Sequence, residues 1–76
     1  MKDLLEFLGR ELVDEPDAVE VTETEDERGL LLQLRVAPED MGKVIGRGGR
    51  IARAIRAVVR AAGARQGLHA SVEIVD

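Results

Sequence analysis

A chain of 76 residues is the length of one small domain (1–76), and with no cysteine it has neither a disulfide framework nor a thiolate metal site to support its core. Hydrophobic residues make up 45% and charged residues 34%, a globular balance. No apolar run is long enough to span a membrane, and the acids within the N-terminal apolar stretch exclude a signal peptide, so a soluble cytoplasmic protein is expected. The net charge of −4 hides an asymmetry: residues 1–27 hold eleven acids and two bases, residues 28–76 nine bases and four acids, which points to an anionic partner at one end of the molecule.

In chain order, Leu4, Leu5, Leu8 and Leu12 recur at helical spacing over Lys2 to Val13, with Phe7 beside them, and Pro16 ends that helix. Val19 and Val21 alternate with Glu20 and Thr22, predicting a strand over Ala18 to Thr24. Glu25 to Gly29 reads as a hairpin turn. Leu30 to Val36 alternates again, with Leu30, Leu32, Leu34 and Val36 on one face. Pro38 opens a short helix, with Glu39 and Asp40 complementing its dipole and Met41, Val44 and Ile45 along its buried edge. Gly46 to Gly49 break it. A second, longer helix is expected from about Arg50 to Ala64, with Ile51, Ile55, Val58 and Ala62 as the core stripe and Arg53, Arg56 and Arg60 opposite. Gly63 and Gly67 are expected to terminate it, and Leu68 to Val75 to form the last strand. The order α-β-β-α-α-β predicts an α+β fold. A three-stranded mixed sheet is covered on one face by helices, and the last strand lies parallel to an earlier one after a right-handed two-helix crossover.

The segment Val44-Ile45-Gly46-Arg47-Gly48-Gly49-Arg50-Ile51 concentrates the chemistry. Glycines let the backbone approach another chain closely, the free N–H groups that open the following helix favour anions, and Arg47, Arg50 and the neighbouring Lys43 add positive charge. These features describe a clamp for a phosphate backbone. The spacing fits neither a P-loop, which needs Gly-Lys-Ser/Thr where Arg47 stands, nor a dinucleotide fingerprint, whose last glycine falls on Ile51. A helix–helix turn with glycines for chain reversal alone is the plainer alternative.

The apolar pair Val44-Ile45, then Gly46-Arg47-Gly48-Gly49, then Ile51 and Ile55 resemble the signature of the KH domain, and the element order resembles its type II, prokaryotic form. Nearly the whole chain, from Leu12-Val13-Asp14-Glu15-Pro16-Asp17 through Val59, resembles the small stand-alone KH-domain RNA-binding proteins of bacteria. The resemblance implies that Gly46, Arg47, Gly48 and Gly49 hold about four nucleotides of single-stranded RNA. It also implies that Ile45 and Ile51 border the groove under the bases and that Leu32 to Val36 form its other wall. Lys43, Arg50 and Arg53 complete the expected RNA-binding set. Homodimers, and association with a larger KH-containing protein, KhpB (Jag), are implied in the same way.

Other chemistry is weak. Phe7 is the only aromatic, which excludes modules that stack bases on aromatic platforms and argues against an aromatic-lined cofactor pocket; no cofactor is expected. His69, the only histidine, has no Cys or second His as a metal partner, the acids of residues 14–27 lack matched spacing, and Ser71 is the only serine, so no enzyme is expected. Val59 at the edge of the long helix, with Ala52 and Val58 beside it and Arg56 and Arg60 as a rim, is expected to form a subunit contact. Two readings follow: a single-stranded RNA-binding module, or a dimerising adaptor of a larger RNA-binding complex with little RNA affinity of its own.

Overall fold

The run of alternating leucines becomes the central strand of the molecule. In the computed structural model, which describes all 76 residues, the chain forms α1 (Lys2–Leu12), β1 (Glu20–Asp26), β2 (Gly29–Arg35), α2 (Met41–Ile45), α3 (Arg50–Arg65) and β3 (Ala70–Val75). Single 3-10 turns lie at Pro16–Ala18, Pro38–Asp40 and Arg47–Gly49. The sheet order is β1-β2-β3; β1 pairs antiparallel with β2, and β2 pairs parallel with β3, Leu30 facing Ala70 and Leu34 facing Ile74.

One face of the sheet carries the core. Leu30, Leu32, Leu34 and Val36 are buried with Val21, Ala70 and Val72, and Leu5, Val44, Ile55 and Val59 of the three helices close over them. The opposite face carries Glu20, Thr22, Thr24, Arg35, Ser71 and Glu73, all exposed. This is the expected α+β architecture with its helices on one side.

Several expected boundaries move, each for a local reason. The 3-10 turn at Pro16–Ala18 delays β1 to Glu20, and the hairpin closes with only Glu27-Arg28 at its tip, so β1 runs on to Asp26. The Asp26 carboxylate accepts the Arg28 N–H at 2.8 Å. Gly63 does not end the long helix. It lies buried within α3, where a Cβ would come within 2.9 Å of the Ala70 Cβ, so its absence lets the helix pack down on the start of β3. The turn out of α3 falls at Gln66-Gly67, where Gly67 takes φ +72°, and β3 begins at Ala70 rather than Leu68.

The core stripe of α3 is rotated from the expected one. Ala52, Ile55, Val59 and Gly63 are the buried residues. Val59 is 0% exposed, whereas Val58 is 45% exposed and Ile51 and Ala62 lie half-buried on the flank toward Val58. Spacing alone permits either stripe, since neighbouring residues differ by only about 100° around a helix. The small Ala52 and Gly63 decide it, because they let the helix approach the sheet. Val59 and Ala52 are therefore core residues, and they do not form a subunit contact.

Truncating the central strand should expose this difference. Leu32→Ala, at a site with no solvent exposure, is expected to lower unfolding free energy by about 2–5 kcal/mol, whereas Val58→Ala should stay within about 0.5 kcal/mol of the parent in urea unfolding.

Candidate functional site

The loop between α2 and α3 is built on three glycines with positive φ, two of them adjacent. Gly46 takes φ +76°, and its N–H donates to the Gly42 carbonyl at 2.9 Å. A Cβ at Gly46 would meet Ile51 Cγ1 at 2.6 Å and the Ile51 N at 2.9 Å, so only glycine lets the end of α2 rest on the first turn of α3. Arg47 remains right-handed, then Gly48 (φ +63°) and Gly49 (φ +77°) are left-handed. A right-handed residue followed by a left-handed one turns successive N–H groups toward one concave side, an anion-binding nest.

The hydrogen-bond inventory identifies the open donors. Gly49 N–H donates to the Gly46 carbonyl at 3.1 Å, and Arg50 N–H to that of Arg47. The N–H groups of Arg47 and Gly48 donate to nothing within the chain. No side chain caps the first turn of the 16-residue α3, whose dipole adds positive potential beside them. The side chains of Arg47 and Arg50 are exposed and form no ion pair. No residue of the loop carries an acid.

The remaining expected residues divide among several places. Ile45 is partly exposed at the end of α2. The Arg53 guanidinium donates to the Gly48 carbonyl at 2.8 Å, so Arg53 reaches back and braces the loop. Arg56 Nε donates to the Val72 carbonyl at 3.4 Å, which places the flank of α3 carrying Arg53, Arg56 and Arg60 over the open edge of β3. Ile51 faces the other flank, where Leu8 and Leu12 of α1 with Ile51, Ala54 and Val58 line an apolar groove of about 310 Å³, bordered by Glu11 and Arg50. The expected wall on Leu32 to Val36 is split between two faces: β2 is the central strand, Leu32, Leu34 and Val36 are buried beneath the helices, and Gln33 and Arg35 lie on the opposite face of the sheet. The strand edge that lies open beside the basic flank belongs to β3.

Lys43 is held by carboxylates. Its Nζ lies 3.0 Å from Asp14 Oδ2 and 3.5 Å from Asp40 Oδ1. The hydrogen bond that the Lys43 ammonium donates to Asp14 and the charge of that carboxylate, joined by Asp40, raise the Lys43 pKa above the usual amine range. Asp40 is the one buried charged residue, 1% exposed, and it also accepts the N–H groups of Asp14 (3.3 Å) and Glu15 (3.1 Å). Sequence reasoning placed Asp40 in a helix dipole and missed this role; its spacing of three from Lys43 was the only available signal. His69 is exposed, and its carbonyl accepts the Leu30 N–H at 2.8 Å.

A three-stranded mixed sheet with α-β-β-α-α-β order and a glycine loop entering the second of two consecutive helices defines a type II KH domain. Residues 2–74 match the family described as KhpA/KhpB, KH domain, and the chain belongs to that family. It is 53% identical over 75 residues to the RNA-binding protein KhpA of Clostridium acetobutylicum, covering 99% of this chain and all of that one. It is 46% identical to the RNA-binding protein KhpA of Aquifex aeolicus, over 100% of this chain and 96% of the relative, and 47% identical to that of Streptomyces coelicolor, over 100% and 92%. No solved structure matches the chain. The family is one of KH domains and not of enzymes. No helix is long and apolar enough to cross a membrane.

Substitution of the glycines separates steric need from mere presence in the loop. Gly46→Ala, strained by its positive φ and by the contact with Ile51, should cost about 1–3 kcal/mol and shift the loop amide resonances. Gly42→Ala, in open space within α2, should be neutral or stabilising by up to about 1 kcal/mol. Thermal unfolding of both variants checks the contrast.

Proposed function

We propose that this protein binds single-stranded RNA, seating a backbone phosphate in the nest of Arg47 and Gly48. The observation that carries the reading is the pair of adjacent N–H groups, at Arg47 and Gly48, that have no acceptor within the chain. Arg47 and Arg50 flank that pair with unpaired positive charge, and three relatives named RNA-binding protein KhpA support RNA as the anion. The protein acts as one KH domain over residues 1–76. The RNA follows the basic flank of α3 from the loop toward Arg53 and Arg56, with its bases toward Ile45 and the open edge of β3. In this reading it works in the cytoplasm, in post-transcriptional regulation or as an RNA chaperone, together with the larger KH-containing protein KhpB (Jag).

Replacing Arg47 and Gly48 together by Asp should abolish the electrophoretic shift of a short single-stranded RNA and leave the circular dichroism spectrum unchanged. Undiminished binding by the folded variant would end the phosphate-clamp reading. The wild type is expected to bind weakly, at about micromolar Kd, because the groove is short. Each phosphate contact on a single strand contributes about 0.7 to the slope of log K against log salt, so three or four contacts give roughly 2 to 3.

The apolar groove supports the second reading, a dimerising adaptor. Val58 is exposed at its centre, and an isologous pairing through two such grooves buries Leu8, Leu12, Ile51 and Val58 of both copies. Glu11 of one copy and Arg50 of the other then form a complementary rim. Two nests on one dimer hold one RNA at two points, which raises its apparent affinity. Light scattering at about 100 μM, well above the dissociation constant of a specific dimer, should give a dimer for the wild type and a monomer for Val58→Glu. A monomeric wild type would refute the pairing.

A further inference from the structure

We infer that Asp40 and Lys43 form a latch that positions the loop for RNA, and that Lys43, although it lies one turn before the loop, does not itself touch RNA. The inference rests on the phosphate reading above and adds to it the device that sets the nest in place.

The loop leaves from the end of α2. A helix of five residues is far below the length at which helices are stable alone, so its pose is set by what holds it from outside. Val44 is its one fully buried side chain, and Met41 packs half-buried against the same core. Two apolar contacts on so short a helix leave its tilt to be fixed by its polar contacts, and any change of tilt moves Gly46 and the nest behind it.

Asp40 supplies the polar anchor. Its carboxylate is buried at the head of α2 and accepts two backbone N–H groups, those of Asp14 and Glu15, from the segment that leaves α1. Lys43, one turn further along, closes the arrangement by binding Asp40 and Asp14 together. The latch thus joins α2 to the connection between α1 and β1 at the opposite end of the helix from the loop. Gly46 N–H then returns to the Gly42 carbonyl, so the loop leaves from the turn of helix that the latch holds.

The same geometry removes Lys43 from the RNA. Drawing its ammonium toward a phosphate would leave Asp40 as a buried carboxylate without its counter-charge, and an unpaired buried charge is strongly destabilising. Arg47 and Arg50, with no carboxylate partner, have no such cost. Lys43 and Asp40 are therefore positioning residues, acting through α2.

Lys43→Met and Asp40→Asn test this against the Arg47→Asp/Gly48→Asp variant. Each protein is titrated with one short single-stranded RNA at several salt concentrations, and the backbone amide resonances of residues 46–50 are recorded. Lys43→Met should weaken binding about fivefold or more, the lower range for coupling between separate sites, with the salt slope unchanged and the loop resonances displaced. A slope reduced by about 0.7, the share of one phosphate contact, would overturn the inference, as would unchanged affinity. Asp40→Asn should reproduce the affinity loss without a change of slope; if it does not fold, the slope of Lys43→Met decides alone. Retained binding by the double-Asp variant would defeat the phosphate reading instead. Lost binding there, together with a reduced slope in Lys43→Met, would leave that reading standing and remove the latch.

Discussion

The parallel pairing of β2 with β3 governs the rest of the molecule. Parallel neighbours cannot be joined by a tight turn, so the chain between Arg35 and Ala70 must travel the length of the sheet and return. It does so through α2, the glycine loop and α3, all on the one face that the alternating leucines make apolar. Because α3 runs back along β3, with Arg56 beside Val72 and Gly63 beside Ala70, its first turn lies toward the C-terminal end of that strand. The glycine loop is therefore delivered to a fixed corner, beside an open strand edge.

Within that corner the two flanks of α3 have different chemistry. The flank over β3 carries Arg53, Arg56 and Arg60, and one of these braces the Gly48 carbonyl while another reaches the strand edge. The flank toward α1 carries Ile51, Ala54 and Val58 beside Leu8 and Leu12. The small residues Ala52 and Gly63 on the line between them let α3 sit low on the sheet, which exposes both flanks. One helix thus presents a basic side and an apolar side without either occupying the other. The acids of residues 1–27, gathered in α1, the connection after it and the β1 hairpin, keep most negative charge off the loop; Asp14 is the exception, and it is used to hold Lys43.

Much of this was legible in the amino-acid order. Alternation from Leu30 to Val36 specifies a half-buried strand because a slip of one residue would turn every leucine to solvent. Gly46-Arg47-Gly48-Gly49 between two helical patterns specified the loop and its basic charge. The rotation of α3 was not legible: Val58 and Val59 are chemically identical neighbours, and the choice between them depends on how closely Ala52 and Gly63 let the helix approach the sheet, a tertiary fact. The groove wall was misplaced for a related reason, since nothing in Leu32 to Val36 tells that this strand is central and β3 is the edge. Asp40 reads as one more acid in a helix's first turn; its burial depends on the Asp14 and Glu15 backbone, some 25 residues earlier in the chain.

In the proposed complex, phosphate is gripped by backbone donors at Arg47 and Gly48. The most direct measurement is an amide NMR titration with a short single-stranded RNA, followed residue by residue. The Arg47 and Gly48 amide protons should move most and downfield, with smaller shifts along Arg53 to Arg60 and at Ile74. Largest shifts on the exposed sheet face, at Thr22, Gln33 or Glu73, with Arg47 and Gly48 unmoved, would contradict it.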